Sequence, residues 1–186
     1  MKRRTKSPPG KAGRFSGHGF PTLIMARAFP EAEVVGYDFH EESIAAANAH
    51  AREHGVRNVR FEVATAQDFP GRDDDLVTRF DCLHDRGDPA GAAAHVHRSL
   101  RPGGSWMIVE PLAGDRLADD LTPVGRLHYA ASTMVCVPTA LAQERRAALG
   151  AQAGEACLAG VIAEGGFRSV RRAAETPFDM VLEAAA

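Results

Sequence analysis

The sequence predicts an α/β fold: a doubly wound, mostly parallel sheet that ends in an antiparallel hairpin. Three observations carry the prediction. Short β-branched runs alternate with helical stripes between residues 21 and 110. Parallel neighbours of that kind need a crossover, which the intervening helices supply. The last two extended runs follow one another with no helix between them, so they pair antiparallel at a sheet edge. A chain of 186 residues suits one domain with a sizeable core and is too short for two.

The elements follow in order. Pro21 to Phe29 opens with a proline suited to a first helical turn and carries a stripe of Leu23, Ile24 and Ala28. Glu33 to Asp38 is a strand that ends in an acid, and Glu41 to His54 is a helix stopped by Gly55. Its core face is Ile44, Ala47 and Ala51. Strands are then expected over Asn58 to Ala64 and Leu76 to Leu83, with a helix over Ala90 to Leu100. The turn Arg101 to Gly104 introduces a strand over Ser105 to Glu110. After an interrupted segment, 111–150, comes a helix from Gly154 to Glu164, closed by Gly165 and Gly166. The extended runs Arg168 to Ala173 and Phe178 to Glu183 close the chain. Ligands of open α/β sheets bind beyond the carboxyl ends of the strands, which makes 111–150 the candidate substrate-facing insertion.

Composition narrows the classes. A net charge of -2 with 45% hydrophobic residues is ordinary for a globular protein and gives no whole-domain nucleic-acid footprint. Cys82, Cys136 and Cys157 form no CxxC and no disulfide framework, which points to a reducing compartment. No apolar run reaches the roughly 18 residues of a membrane span, and the basic start leads into Pro8, Pro9 and Gly10 rather than a signal core. A cytoplasmic protein without a membrane partner is expected. All three lysines fall in the first eleven residues, and residues 1–14 hold six positive charges and no acid. The expected organisation is a basic, disordered start over 1–16 and one domain over 17–186.

Two constellations carry chemistry. Gly17, His18 and Gly19 precede a helix, and Asp38 ends the next strand 21 residues after Gly17. Glycines let a backbone approach a ligand near a helix start, and a carboxylate there accepts hydrogen bonds from both ribose hydroxyls. This predicts a nucleoside site. The second constellation is Asp68 in ATAQDF, Phe80-Asp81 in the next strand, and LRPGG before Glu110-Pro111.

On these residues the chain resembles the class I S-adenosylmethionine-dependent methyltransferases, over roughly residues 17–186. It looks most like a bacterial small-molecule group marked by DCLHDxGDP, present here from Asp81 to Pro89. The resemblance implies a Rossmann-like sheet, S-adenosylmethionine as cofactor and methyl transfer to a small molecule. It puts Gly17 and Gly19 beside the amino-acid end of the cofactor, Asp38 on the ribose and Phe39 along the adenine. Ala66, Gln67 and Asp68 would edge the adenine, and Phe80, Asp81 and His84 would line the pocket near the methyl group. Relative to the family, Phe15 and Ser16 replace a glycine and a small residue, and the upstream acid is absent at Gly13. No strand reads from GKAGRFS, so the first strand is expected to be missing or degenerate, leaving two ladders unpaired. The resemblance also implies an N-terminal region before that strand, so the chain is expected to be truncated and its activity to suffer.

Methyl transfer from a sulfonium is an in-line displacement in which positioning supplies much of the rate. A hydroxyl or amine acceptor also needs a base, and His84 beside Asp85 is the candidate, with His128 in the insertion a second one. His50 and His54 have a metal-pair spacing but no third ligand, so no metal is expected. His95 and His97 read as surface residues, and Cys82 as packing inside a strand. Two competing readings stand beside methyl transfer. One is a non-catalytic domain that binds a nucleoside or forms a homodimer through its exposed sheet. The other is an NAD-type oxidoreductase, which the terminal hairpin and the DCLHD run oppose. The acceptor, and whether its oxygen, nitrogen or carbon is methylated, stay open.

Overall fold

A computed structural model describes residues 10–15 and 19–186. They form one seven-stranded sheet of order β3-β2-β1-β4-β5-β7-β6. Strand β1 is Lys11–Phe15, β2 Glu33–Asp38, β3 Val59–Val63, β4 Asp74–Phe80 and β5 Leu100–Pro111. These five run parallel, and the hairpin of β6 (Ser169–Glu175) and β7 (Asp179–Ala185) joins antiparallel to β5. The doubly wound sheet with a reversed C-terminal hairpin is the architecture the sequence predicts.

The centre of the sheet differs from expectation. Lys11–Phe15 pairs with β2 from Lys11↔Glu33 to Phe15↔Tyr37 and with β4 from Ala12↔Leu76 to Phe15↔Arg79. The first strand is thus degenerate in sequence but present, and both ladders are paired. Ladder bonds use backbone N–H and C=O groups alone, so KAGRF can satisfy them without an apolar pattern. The boundary expected at residue 17 therefore falls inside the domain. Residues 1–9, expected to be disordered, lie outside the described residues.

Helices cover both faces. Helix α1 (Phe20–Ala28) buries Thr22, Leu23 and Ala26, while Ile24 is exposed. The expected stripe of Leu23, Ile24 and Ala28 is corrected: Ile24 and Ala28 face solvent, and the sheet takes the arc of about 100° that holds Thr22, Ala26 and Leu23. Helix α2 (Glu41–Glu53) buries Ile44, Ala47 and Ala51 as read. These residues pack with Leu23 and Phe61. A Cβ on Gly36 in β2 would stand 2.3 Å from the Phe61 ring, so glycine there makes room for the aromatic. Alternation along β2 sends Val35 and Tyr37 to the opposite face, whose core includes Val77, Trp106, Ile108 and Phe167. Helices α3 (Pro89–Ser99) and α6 (Glu155–Glu164) cover that face with Val96, Leu158 and Ile162.

Strand β4 ends three residues before the expected Leu83. Asp81 takes a left-handed conformation, φ 46°, which turns the chain out of the sheet. Cys82 consequently sits in a loop and not inside a strand. His95 and His97, expected at the surface, are half-buried: their rings meet Phe69 and Phe167 edge-on at 4.5 and 5.1 Å. The segment after β5 folds into a 3-10 turn (Leu117–Asp120), α4 (Pro123–Ala131), a π-helical turn (Ser132–Cys136) and α5 (Val137–Leu141). Its inner face buries His128, Ser132 and Cys136, whereas Met134 and Val135 are exposed. Among the described residues no helix is long and apolar enough to cross a membrane.

Candidate active site

The sheet brings the sequence-predicted residues to one edge, beyond the carboxyl ends of β2, β3 and β4. Asp38 is the last residue of β2, and its Oδ1 accepts the His40 N–H at 2.9 Å. Its Oδ2 has no hydrogen bond among the described residues. Phe39 follows, largely exposed. After β3, Asp68 Oδ1 accepts the Thr65 N–H at 2.8 Å and the Thr65 hydroxyl at 2.7 Å, which closes a tight turn. Those two hydrogen bonds hold the Asp68 carboxyl below its ordinary value. Gln67 is exposed on the turn, and Ala66 is buried beneath it. The Arg79 guanidinium, fully buried under the turn, donates to the Ala66 carbonyl at 2.9 Å and lies 5.7 Å from the Trp106 ring centre. Burial pulls its pKa down to about 10, so it stays charged at neutral pH. Gly19 caps α1 in a left-handed conformation, φ 84°, and a Cβ there would meet Ala47 and Phe61 at 2.8 Å. Packing alone thus demands glycine at 19. Gly17 lies outside the described residues.

The chemistry concentrates where β4 and β5 end. Phe80, last in β4, is paired with Val109, and the Asp81 N–H donates to the Val109 carbonyl at 2.9 Å. That register sets Glu110 beside the loop leaving β4. Glu110 is fully buried and receives the loop with both oxygens. Its Oε1 accepts the N–H groups of Cys82 (3.2 Å) and Leu83 (2.8 Å), and its Oε2 lies 2.5 Å from His84 Nδ1. His84 is itself buried, 5% exposed. Burial pulls its pKa down, but the hydrogen bond and charge of Glu110, with Asp85 and Asp81 behind it, prevail and raise it above the usual imidazole value. The acid that serves His84 is therefore Glu110, not the adjacent Asp85, whose carboxyl lies 3.9 Å from Arg86 Nε. Asp81 keeps one side open to solvent, yet its carboxyl is raised to about 6, first by desolvation and then by the charges of Glu110 and Asp179.

The insertion clasps the other side of the His84 loop. Gln143 Oε1 accepts the Gly87 N–H at 2.9 Å, and its Nε2 donates to the Asp85 carbonyl at 3.0 Å. Ala147 N–H donates to Gly87 O at 2.9 Å, and Gly150 N–H to His84 O at 3.0 Å. Arg145 pairs with Asp88 at 3.2 Å. His128 is buried under this loop, within range of the charges of Asp120, Asp179 and His84, and its pKa is lowered by burial. The His50 ring lies 4.7 Å from the Phe20 ring, tilted by 36°. Among the described residues no cluster of three or more His, Cys, Asp or Glu is placed to hold a metal.

Sequence reasoning placed Glu110 at the end of its strand without giving it a role, and it missed Gln143. Glu110 was readable in principle, as an acid one residue beyond the strand partner of Phe80, had the parallel register been known. Gln143 gave no signal, because a single glutamine in an irregular segment has no pattern.

The strand order and the reversed C-terminal hairpin are those of an open α/β sheet, in which ligands bind beyond the carboxyl ends of the strands. Comparison with known proteins agrees: a family described as a methyltransferase domain matches residues 14–168. The chain belongs to that family. It is 35% identical over 83 residues to an uncharacterised methyltransferase, YcgJ, of Bacillus subtilis, covering 44% of this chain and 33% of that protein. It is 34% identical over 113 residues to the ubiquinone biosynthesis O-methyltransferase of Thiobacillus denitrificans, covering 58% and 47%. The chain therefore matches less than half the length of either curated relative. Human N-acetylserotonin methyltransferase in complex with S-adenosylmethionine has the same fold, with TM-score 0.72, 17% identity, and 95% of this chain and 47% of that one covered.

Proposed function

We propose that this chain carries out S-adenosylmethionine-dependent methyl transfer to a hydroxyl of a small molecule, with His84 as general base. The single observation that carries the reading is the buried His84–Glu110 pair at the carboxyl ends of β4 and β5 in a methyltransferase domain. When bound, S-adenosylmethionine supplies an electrophilic methyl group on a sulfonium. The residues present fit such a group. Asp38 Oδ2 is available for a ribose hydroxyl, and the turn from Thr65 to Asp68 offers an exposed polar edge for the adenine. Phe39 follows the end of β2, and Phe80 ends β4 on the same carboxyl side of the sheet.

Glu110 holds the proton of His84 on Nδ1, which leaves Nε2 as the basic nitrogen. Nε2 takes the hydroxyl proton as the acceptor oxygen gains the methyl group. The resulting imidazolium is stabilised by the Glu110 carboxylate already in contact with it. Loop anchoring by Glu110 on one side and Gln143 on the other fixes where that nitrogen sits.

The test is a calorimetric titration of the folded chain with S-adenosylhomocysteine, with an Asp38→Ala variant and NADH as controls. Saturable binding is expected, weakened roughly 10- to 100-fold in the variant because one or two charge-assisted hydrogen bonds are lost. Undetectable binding, or tighter binding of NADH, refutes the cofactor reading.

A further inference from the structure

We infer that the methyl acceptor carries a second hydrogen-bonding group beside its reacting hydroxyl, and that His128 and Ser132 on the inner face of the insertion receive it. The inference rests on the methyl-transfer reading of the same site and adds the class of substrate.

His128 and Ser132 are four residues apart, hence on one face of a helix, and are 8% and 3% exposed. Among the described residues neither His128 Nδ1 nor the Ser132 hydroxyl has a hydrogen-bond partner. Buried polar atoms are almost always satisfied, so two unpaired ones on consecutive turns require a reason. A serine in a helix ordinarily returns its hydroxyl to the carbonyl four residues earlier. Ser132 does not, and the helix widens into a π turn at this residue, a departure from the regular ladder that accompanies functional sites.

The surroundings place this face against the loop that carries the base. A Cβ on Gly150 would stand 2.2 Å from Ser132 Oγ and 2.5 Å from Gln152 Oε1, so the absent side chain is what lets these two polar ends converge. Gln152 Oε1 is likewise buried and without a partner among the described residues. Gly150 itself donates to the carbonyl of His84. A molecule with its hydroxyl at His84 would then meet, on the insertion side, a hydroxyl, an imidazole nitrogen and an amide oxygen. An apolar ring without further substituents would leave all three unpaired. Sites built to bond a substrate hydroxyl reject the analogue that lacks it far more strongly than apolar pockets reject a change of size. The chemistry that fits is a polyhydroxylated or hydroxy-carbonyl small molecule.

The experiment compares phenol, catechol and resorcinol by calorimetry, with the chain free and loaded with S-adenosylhomocysteine. At least one dihydroxy probe is expected to bind roughly 10-fold or more tightly than phenol. Ser132→Ala and His128→Phe should each erase that preference and leave the affinity for S-adenosylhomocysteine unchanged. Ser132→Ala should also raise the melting temperature of the free chain, because it removes a buried hydroxyl that has no partner. Equal affinities, no binding of any probe, a preference that survives both substitutions, or a lower melting temperature for Ser132→Ala overturns the inference. Failure to bind S-adenosylhomocysteine refutes the cofactor reading instead, and the probe comparison on the free chain then still decides this one.

Discussion

Replacing Glu110 with glutamine tests the centre of the site, because the substitution keeps the shape and removes only charge and one acceptor. The carboxylate accepts from Cys82, Leu83 and His84, and all three contacts are shielded from solvent. Glutamine can keep its oxygen on the two backbone N–H groups, which turns its NH2 toward His84 Nδ1. Nδ1 must then accept, so the imidazole proton moves to Nε2 and the base is lost. A positioned general base contributes about 10²- to 10⁴-fold, and the loss of methyl transfer should fall in that range. The effect on stability depends on pH. His84 is raised above 6.5 in the folded chain, so its bond to Glu110 contributes fully below pH 6.5 and less as pH rises through the folded value. A hydrogen bond to a charged partner is worth about 1.5–3 kcal/mol, so Glu110→Gln should cost that much near pH 5.5 and much less at pH 9. Nitrogen-15 NMR of the imidazole reads the tautomer and titration directly, and denaturant melts at the two pH values read the rest. In the variant the His84 midpoint should fall below the ordinary imidazole value, because burial remains and its counter-charge is gone. A midpoint and tautomer unchanged in Glu110→Gln would refute the pairing and the mechanism built on it.

Three further outcomes follow from named contacts. Gln143→Ala removes both bonds to the His84 loop and should lower kcat by about 10-fold and stability by about 1–2 kcal/mol, with S-adenosylhomocysteine affinity unchanged; steady-state kinetics and a denaturant melt check it. Asn58 Nδ2 donates to the carbonyls of Ala26, Phe29 and Ala32 at 2.9, 3.1 and 3.0 Å, which ties the end of α1 to the start of β2. Asn58→Ala should therefore cost about 1–3 kcal/mol in a urea melt, and an unchanged midpoint would show those contacts to be idle. Asp81 titrates in the folded chain at about 6, so the protonated form is favoured by folding and stability falls as pH rises from about 4 to 6. Asp81→Asn should flatten that part of the stability profile and raise the melting temperature at pH 8 relative to wild type.

What the sequence made legible divides along the kind of force involved. Helix α2 and strand β7 were readable because burial imposes a period on side chains, which Ile44, Ala47 and Ala51 follow residue by residue, whereas β2, β3 and β5 were readable as short β-branched runs between helices. Strand β1 was not, because what holds it is a ladder on either side, and backbone groups pair without regard to the side chains they carry. The end of β4 was misplaced for a related reason. Cys82 and Leu83 continue the apolar run, but Asp81 enters a left-handed conformation and the next two N–H groups bond to Glu110 in place of a neighbouring strand.

The active-site pair illustrates the same division at the level of chemistry. His84 and Glu110 are 26 residues apart and share no motif; their contact exists because Phe80 is level with Val109 in a parallel ladder. A parallel register is set by which side chains the two strands bury and by the crossover that joins them, here α3 and the turn after it, and not by the residues next to either partner in the chain. The histidine could be singled out from its surroundings in the chain, whereas the carboxylate that sets its tautomer could be found only through the sheet. Where a base sits on the loop after one strand, the end of the next parallel strand is the place to look for the acid that orients it. Glu110 is that acid here because it is fully buried there and both of its oxygens are taken by that loop.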